Sequence, residues 1–123
     1  MSENNKPTPI EQLDAIKLLL GTCLKDLVAS KKDGSMPDMP QIIKAVTLSE
    51  ELTSQVQKDL AGSSAEINRA IEKTDMLLKE SMKTISGADG EFNKVLGINL
   101  TYYLAMADGA IQNVIKNMEN KES

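Results

Sequence analysis

The chain has 123 residues, a formal net charge of −4 and a hydrophobic content of 41%, which suffices for one continuous core and not for two. An acidic chain argues against an extended basic surface that clamps phosphate backbones. With no histidine at all, it also lacks the commonest general base and zinc ligand.

Aromatic residues make up 2% of the chain, namely Phe92, Tyr102 and Tyr103. Leu, Ile, Val, Ala and seven Met must therefore fill the interior, and Met packs adaptably rather than sharply. Polar residues 1–8 are expected to form a flexible N-terminus ahead of one helical domain spanning 9–120. Nothing in the first seven residues has the apolar run of a signal peptide.

Thr8-x-x-Glu11 has the form of a capping box, in which cap side chain and third-position carboxylate satisfy each other's backbone N–H. It predicts a first helix over about 9–32, with Pro9 at the favoured first position and Gly34 just past the end. Leu13, Ile16, Leu20, Cys23 and Leu27 recur at alternating spacings of three and four, the period of a helix-packing seam. Leu18, Leu19, Leu24 and Val28 widen that face, so the helix is expected to lie centrally or to be buried on two sides. Gly21 costs helix propensity in the interior and predicts close approach of a neighbouring backbone. Cys23, the sole cysteine, sits mid-helix among leucines and is expected to be a small buried hydrophobe rather than a reactive thiol. Lys25, Lys31 and Lys32 are the one basic concentration and complement the helix C-terminus.

Residues 33–40 break the helix with two prolines and a glycine. Their acidic residues lack the ligand spacing and closing Glu of a calcium loop. A second helix over about 39–61 opens at Asp38-x-x-Gln41, carries Ile42, Val46, Leu52, Val56 and Leu60 on a narrow stripe, and ends at Gly62. A third, over about 64–86, opens at Ser63-x-x-Glu66, with Ile67, Ala70, Ile71, Leu78, Met82 and Ile85 on its stripe. Gly87 is expected to be the left-handed residue that closes it.

The fourth helix, over about 90–120, follows Asp89-Gly90. Phe92, Leu96, Leu100, Tyr103, Ala107, Ile111, Val114 and Met118 lie along one face, and Val95, Ile98, Tyr102, Leu104, Met106 and Ile115 add a second apolar surface. Asp108-Gly109 offers an alternative in which a turn divides this helix in two.

Four segments of similar length joined by short breaks predict an all-α antiparallel bundle of about four helices. Broad apolar faces on the first and last helices predict an oligomer held through that pair, with Leu19, Ile98, Tyr102, Tyr103 and Met106 as the candidate interface. Adjacent Tyr102 and Tyr103 must point to different sides of a helix. Either Tyr103 packs in the core with Tyr102 over its edge, or one of them anchors an interface.

Catalytic, cofactor-binding and metal-ligating residues are not expected. Glu50, Glu51 and Glu66 read as solvated charges, and Gly87 to Glu91 lacks the spacing and lysine of a phosphate-cradling loop. Asn99-Leu100-Thr101 matches a glycosylation acceptor inside a predicted helix. No stretch approaches the roughly 20 apolar residues that span a bilayer, so a cytoplasmic protein with no membrane partner is expected.

The run Leu13 to Leu20, followed by a Pro-containing break and a second amphipathic helix, resembles the central helical hairpin of small terminase subunits from tailed phages. The likeness covers residues 10–60, without the helix-turn-helix that precedes the hairpin in that family and with two further long helices after it. It implies a ring-forming DNA-packaging or scaffolding accessory, although composition makes nucleic acid an unexpected partner. The residues themselves favour a non-enzymatic helical interaction or assembly module, acting through homo-oligomerisation or by packing a partner helix. The alternative is a protein that sequesters a small anionic or apolar ligand between helices, with Arg69, Lys73 and Lys94 as candidate cations.

Overall fold

Helix boundaries follow from which polar groups reach the backbone. In a computed structural model of the chain, residues 7–122 are described, and they form four helices and the turns between them, with no strand among the described residues. Helix α1 (Pro9–Asp33) begins with the complete capping box: Glu11 N–H donates to Thr8 Oγ1 at 3.2 Å, and Thr8 N–H donates to Glu11 Oε1 at 2.8 Å. Gly34 ends it in the left-handed conformation (φ 76°), donating to the Ser30 carbonyl at 2.8 Å. Residues 1–6 of the expected N-terminal tail lie outside the described residues.

Helix α2 (Met39–Asp59) has only half of the expected box. Asp38 Oδ1 accepts from Gln41 N–H at 3.2 Å, but the Asp38 N–H goes to Asp26 Oδ2 in α1 at 2.9 Å rather than to Gln41. A tertiary bond thus replaces the local one and ties the start of α2 to α1. The helix also stops two residues short of Ala61, whose N–H bonds three residues back to the Lys58 carbonyl at 3.4 Å rather than four back as a helical residue would.

The third helix, α3 (Ala65–Gly87), corrects the expected cap. Both the N–H and the hydroxyl of Ser63 donate back to the Leu60 carbonyl, so Ser64 caps instead, accepting from Ile67 N–H at 3.2 Å. A second correction lies at its other end. Gly87 is the last helical residue, and the left-handed positions are Asp89 (φ 54°) and Gly90 (φ 74°), with Gly90 N–H bonded to the Ile85 carbonyl at 2.9 Å.

Helix α4 (Lys94–Glu122) begins four residues later than expected and is continuous through Asp108-Gly109. Asn93 starts it, its side-chain oxygen accepting from Leu96 N–H at 2.9 Å. Phe92, the residue before that cap, folds back over the first turn. A Cβ on Gly97 would lie 2.9 Å from the Phe92 ring, so the ring needs the bare backbone that glycine provides.

Close backbone packing joins α1 to α2, α2 to α3, α3 to α4 and α4 to α1, and among the described residues no Cα atoms of either diagonal pair come within 8 Å of each other. With turns this short, neighbouring helices run in opposite directions, and four seams converge on one core. Leu13, Ile16, Leu20, Cys23 and Leu27 of α1 are all buried there, as their spacing predicts. Seams of α2 and α3 keep the same three-and-four period only when their hydroxyls are included. Ser49 and Thr53 in α2, and Thr74 and Ser81 in α3, are fully or almost fully buried. Thr53, Thr74 and Ser81 donate to carbonyls one turn back in their own helices, which satisfies the hydroxyls without a partner across the core.

Gly21 departs from expectation: nothing lies within 4 Å of where its Cβ would be. Close packing inside the chain is therefore not what its small size serves. Leu18 and Val28, expected to widen the buried face of α1, are exposed instead.

Candidate functional site

Helix α4 is two-sided. Its inward seam, Leu96, Leu100, Leu104, Ala107, Ile111 and Val114, is buried. Its outward face repeats a second seam at spacings of three and four: Val95, Ile98, Tyr102, Ala105, Gly109 and Gln112, all exposed. Val95 is 66% exposed, Ile98 59% and Tyr102 60%. Between Lys94 and Lys116 the helix carries a single charged residue, Asp108, which is half-buried. A solvent-facing helix ordinarily carries charge on this side. Here about five turns of it do not.

The second apolar surface expected from the sequence is corrected in part. Leu104 belongs to the core, and Ile115 packs half-buried against it. Ala105 and Gly109, which complete the outward seam, were missing from the expected surface, although the spacing that runs on from Val95, Ile98 and Tyr102 points to them.

Among the candidate interface residues, Ile98 and Tyr102 sit together on the outward face. Tyr103 is half-buried on the adjacent side and meets Tyr102 edge-to-face, with ring centroids 5.7 Å apart and an interplanar angle of 62°. Met106 is half-buried one turn further on. Leu19 lies apart from these, half-buried in a shallow groove between α1 and α2 beside Leu48.

Where the C-terminal end of α1 meets the start of α4, the outward face opens into a groove of about 590 Å³. Leu27, Met36, Phe92, Ile98 and Tyr102 give it an apolar lining, Lys31 and Lys94 bring two cations, and no carboxylate lines it. Of the cations expected for a ligand site, Arg69 and Lys73 are exposed on α3, and only Lys94 borders this groove.

The thiol of Cys23 is 1% exposed. Burial, seconded by the nearby Asp26 carboxylate, pushes its pKa up to about 11, so at neutral pH it is protonated and out of reach. Among the described residues no cluster of three or more Cys, Asp or Glu side chains is placed to hold a metal ion, and no helix is long and apolar enough to cross a membrane. No protein-family profile, curated protein or solved structure matches the chain.

Proposed function

We propose that the chain is a non-enzymatic helical interaction module that docks one further helix along the outward face of α4. The observation that carries this reading is the uncharged seam from Val95 to Gln112, with three large apolar side chains more than half exposed. Large exposed apolar patches on a folded chain mark interaction surfaces, and Tyr is among the residues that anchor them. Seam spacing makes the occupant a helix, since knobs at three-and-four intervals fit between the ridges of another helix.

A photo-crosslinking side chain placed at Ile98, and separately at Glu72 on the exposed charged side of α3, tests the reading in cells that express the protein. A discrete adduct from position 98 and none from position 72 is the expected result. Equal adducts from both positions, or none from either, would remove the proposal.

A second reading rests on the groove. An apolar trough of about 590 Å³ with Lys31 and Lys94 at its walls is of the size and make-up that holds a small carboxylate-bearing amphiphile. A melting temperature unmoved by saturating medium-chain fatty acid would set this reading aside.

A further inference from the structure

The outward seam of α4 is complementary to itself. Its first half carries the large residues Val95, Ile98 and Tyr102, and its second half the small residues Ala105 and Gly109, followed by Gln112. We propose that the helix docked on α4 is α4 of a second copy, antiparallel and related by a two-fold axis between Tyr102 and Ala105. This rests on the reading of α4 as a docking face and names its occupant.

A two-fold interface requires that where one residue meets another, the reverse contact also forms. Antiparallel pairing in this register sets Tyr102 against Ala105 of the second copy, Ile98 against Gly109 and Val95 against Gln112. Tyr102 and Ile98 then each enter the space over a small residue, twice over by symmetry, and Val95 lies along the aliphatic part of Gln112. Parallel pairing would stack Tyr102 on Tyr102 and leave Gly109 opposite Gly109, crowding one end and leaving a void at the other.

Charge agrees with the same direction. The uncharged face is bounded by Glu91 and Lys94 before it and by Lys116 after it. The antiparallel arrangement brings Glu91, in the turn just ahead of α4, to the level of Lys116 of the second copy. The parallel one brings Lys116 to Lys116 and Lys94 to Lys94.

Gly109 points the same way. An interior helical glycine lowers helix stability, and nothing in its own chain lies within 4 Å of where its Cβ would be. Its lack of a side chain serves no neighbour inside the chain, and in the pair it admits Ile98 of the second copy.

The seam, from Val95 to Gln112, is about 27 Å long at 1.5 Å per residue. With flanking side chains it would bury on the order of 1,200 Å² in total, the lower edge of a stable standard interface. Self-association in the micromolar range is therefore expected.

The test is sedimentation equilibrium of the full chain at about 1 to 200 µM, a range that brackets micromolar affinity. It compares the wild type, Ile98→Glu, Gly109→Lys and the double variant. Wild type is expected to be a dimer. Each single substitution buries an unmatched charge and is expected to weaken dimerisation at least ~10-fold. In the double variant each new carboxylate faces a new ammonium across the two-fold axis, and dimerisation is expected to return. Positions 98 and 109 are three turns apart on one helix, too far to pair within a chain, so recovery reports the antiparallel register. Unchanged circular dichroism, and melting of the dilute variants no lower than that of the wild type, confirm that the fold is intact.

A double variant as weak as either single, or a wild type that is monomeric throughout the range, overturns the proposal. A discrete adduct from the crosslinker at Ile98 whose added mass is not one further copy would overturn self-pairing while the docking reading stands.

Discussion

Helices α3 and α4 have inward seams built alike and outward faces built oppositely. Both place a residue in the core at every third or fourth position, from Ile67 to Ile85 in one and from Leu96 to Val114 in the other. Outside, α3 carries Glu66, Arg69, Glu72, Lys73, Lys79, Glu80 and Lys83, interrupted by one large exposed apolar residue, Met76. Lys79 Nζ lies 2.6 Å from Asp75 Oδ2 one turn back, and that partner raises the lysine's pKa through a hydrogen bond and its charge. Charge at this density keeps a face in water. The outward face of α4 has the helical period of a packing surface and lacks the charge of a solvent surface, and that combination is what supports the proposal that it docks a further helix.

The largest effect should separate the two sides of α4 from each other. Leu104 is fully buried, so Leu104→Ala is expected to lower unfolding free energy by about 2 to 5 kcal/mol through lost burial and the cavity left behind. Tyr102→Ala, measured at a concentration low enough to keep the chain monomeric, is expected to stay within about 0.5 kcal/mol, as exposed substitutions do. Urea unfolding of both variants settles it. Comparable losses would mean that Tyr102 belongs to the core and that α4 has no free face.

Inward seams made of Leu, Ile and Val were legible in the sequence except at Leu104, which the sequence reading set on the outer surface of α4 while giving its place on the seam to the half-buried Tyr103. They were not legible where small hydroxyls took core positions. Ser49, Thr53, Thr74 and Ser81 count as polar by residue type, yet three of them bond to carbonyls of their own helix and leave only a small apolar remainder to pack. Two helix starts were also misplaced, for a related reason. Ser63 and Ser64 are equivalent as cap formers, and the choice fell to Ser64 because the hydroxyl of Ser63 is engaged by the Leu60 carbonyl in the turn after α2. Asp89-Gly90 is a turn signal, but Asn93 supplies the cap from beyond it. Of the candidate site, Ile98 and Tyr102 were legible from hydrophobicity, while Ala105 and Gly109 carry too little apolar surface to stand out in a count of hydrophobic residues. Only their period places them on the seam.

A smaller effect concerns the dry side that α3 and α4 share with α1. Cys23 lies on the inward seam of α1, and burial raises its folded-state pKa from about 9 to about 11. The unfolded thiol ionises first as pH rises. The stabilisation is therefore fully present below pH 9 and is lost as pH climbs through 11. Denaturant midpoints are expected to be flat in this respect between pH 7 and 8.5 and to fall above pH 9, with the fall reduced in Cys23→Ala. Thiol labelling at pH 8 should proceed only through unfolding. Rapid stoichiometric labelling of the native protein would show that the seam common to the helices is wet, and the contrast between inward and outward faces would lose its basis.

The smallest effect has opposite signs on two readouts. Gly109 and Gly21 are both exposed interior helical glycines with open space at the Cβ position. Alanine at either is expected to raise the stability of the dilute chain by about 0.5 to 1 kcal/mol, through better helix propensity and a less disordered unfolded state. The two should diverge on association. Gly21 lies on α1, away from the outward seam of α4, so Gly21→Ala is expected to leave the dimerisation constant unchanged. Gly109→Ala puts a methyl where Ile98 of the second copy would seat, and a fold stabilised by that change should assemble less tightly. Stability and assembly rising together at Gly109, or shifting identically at both glycines, would mean that Ile98 of a second copy does not seat over Gly109, and the antiparallel self-pairing would fall while the docking reading stands.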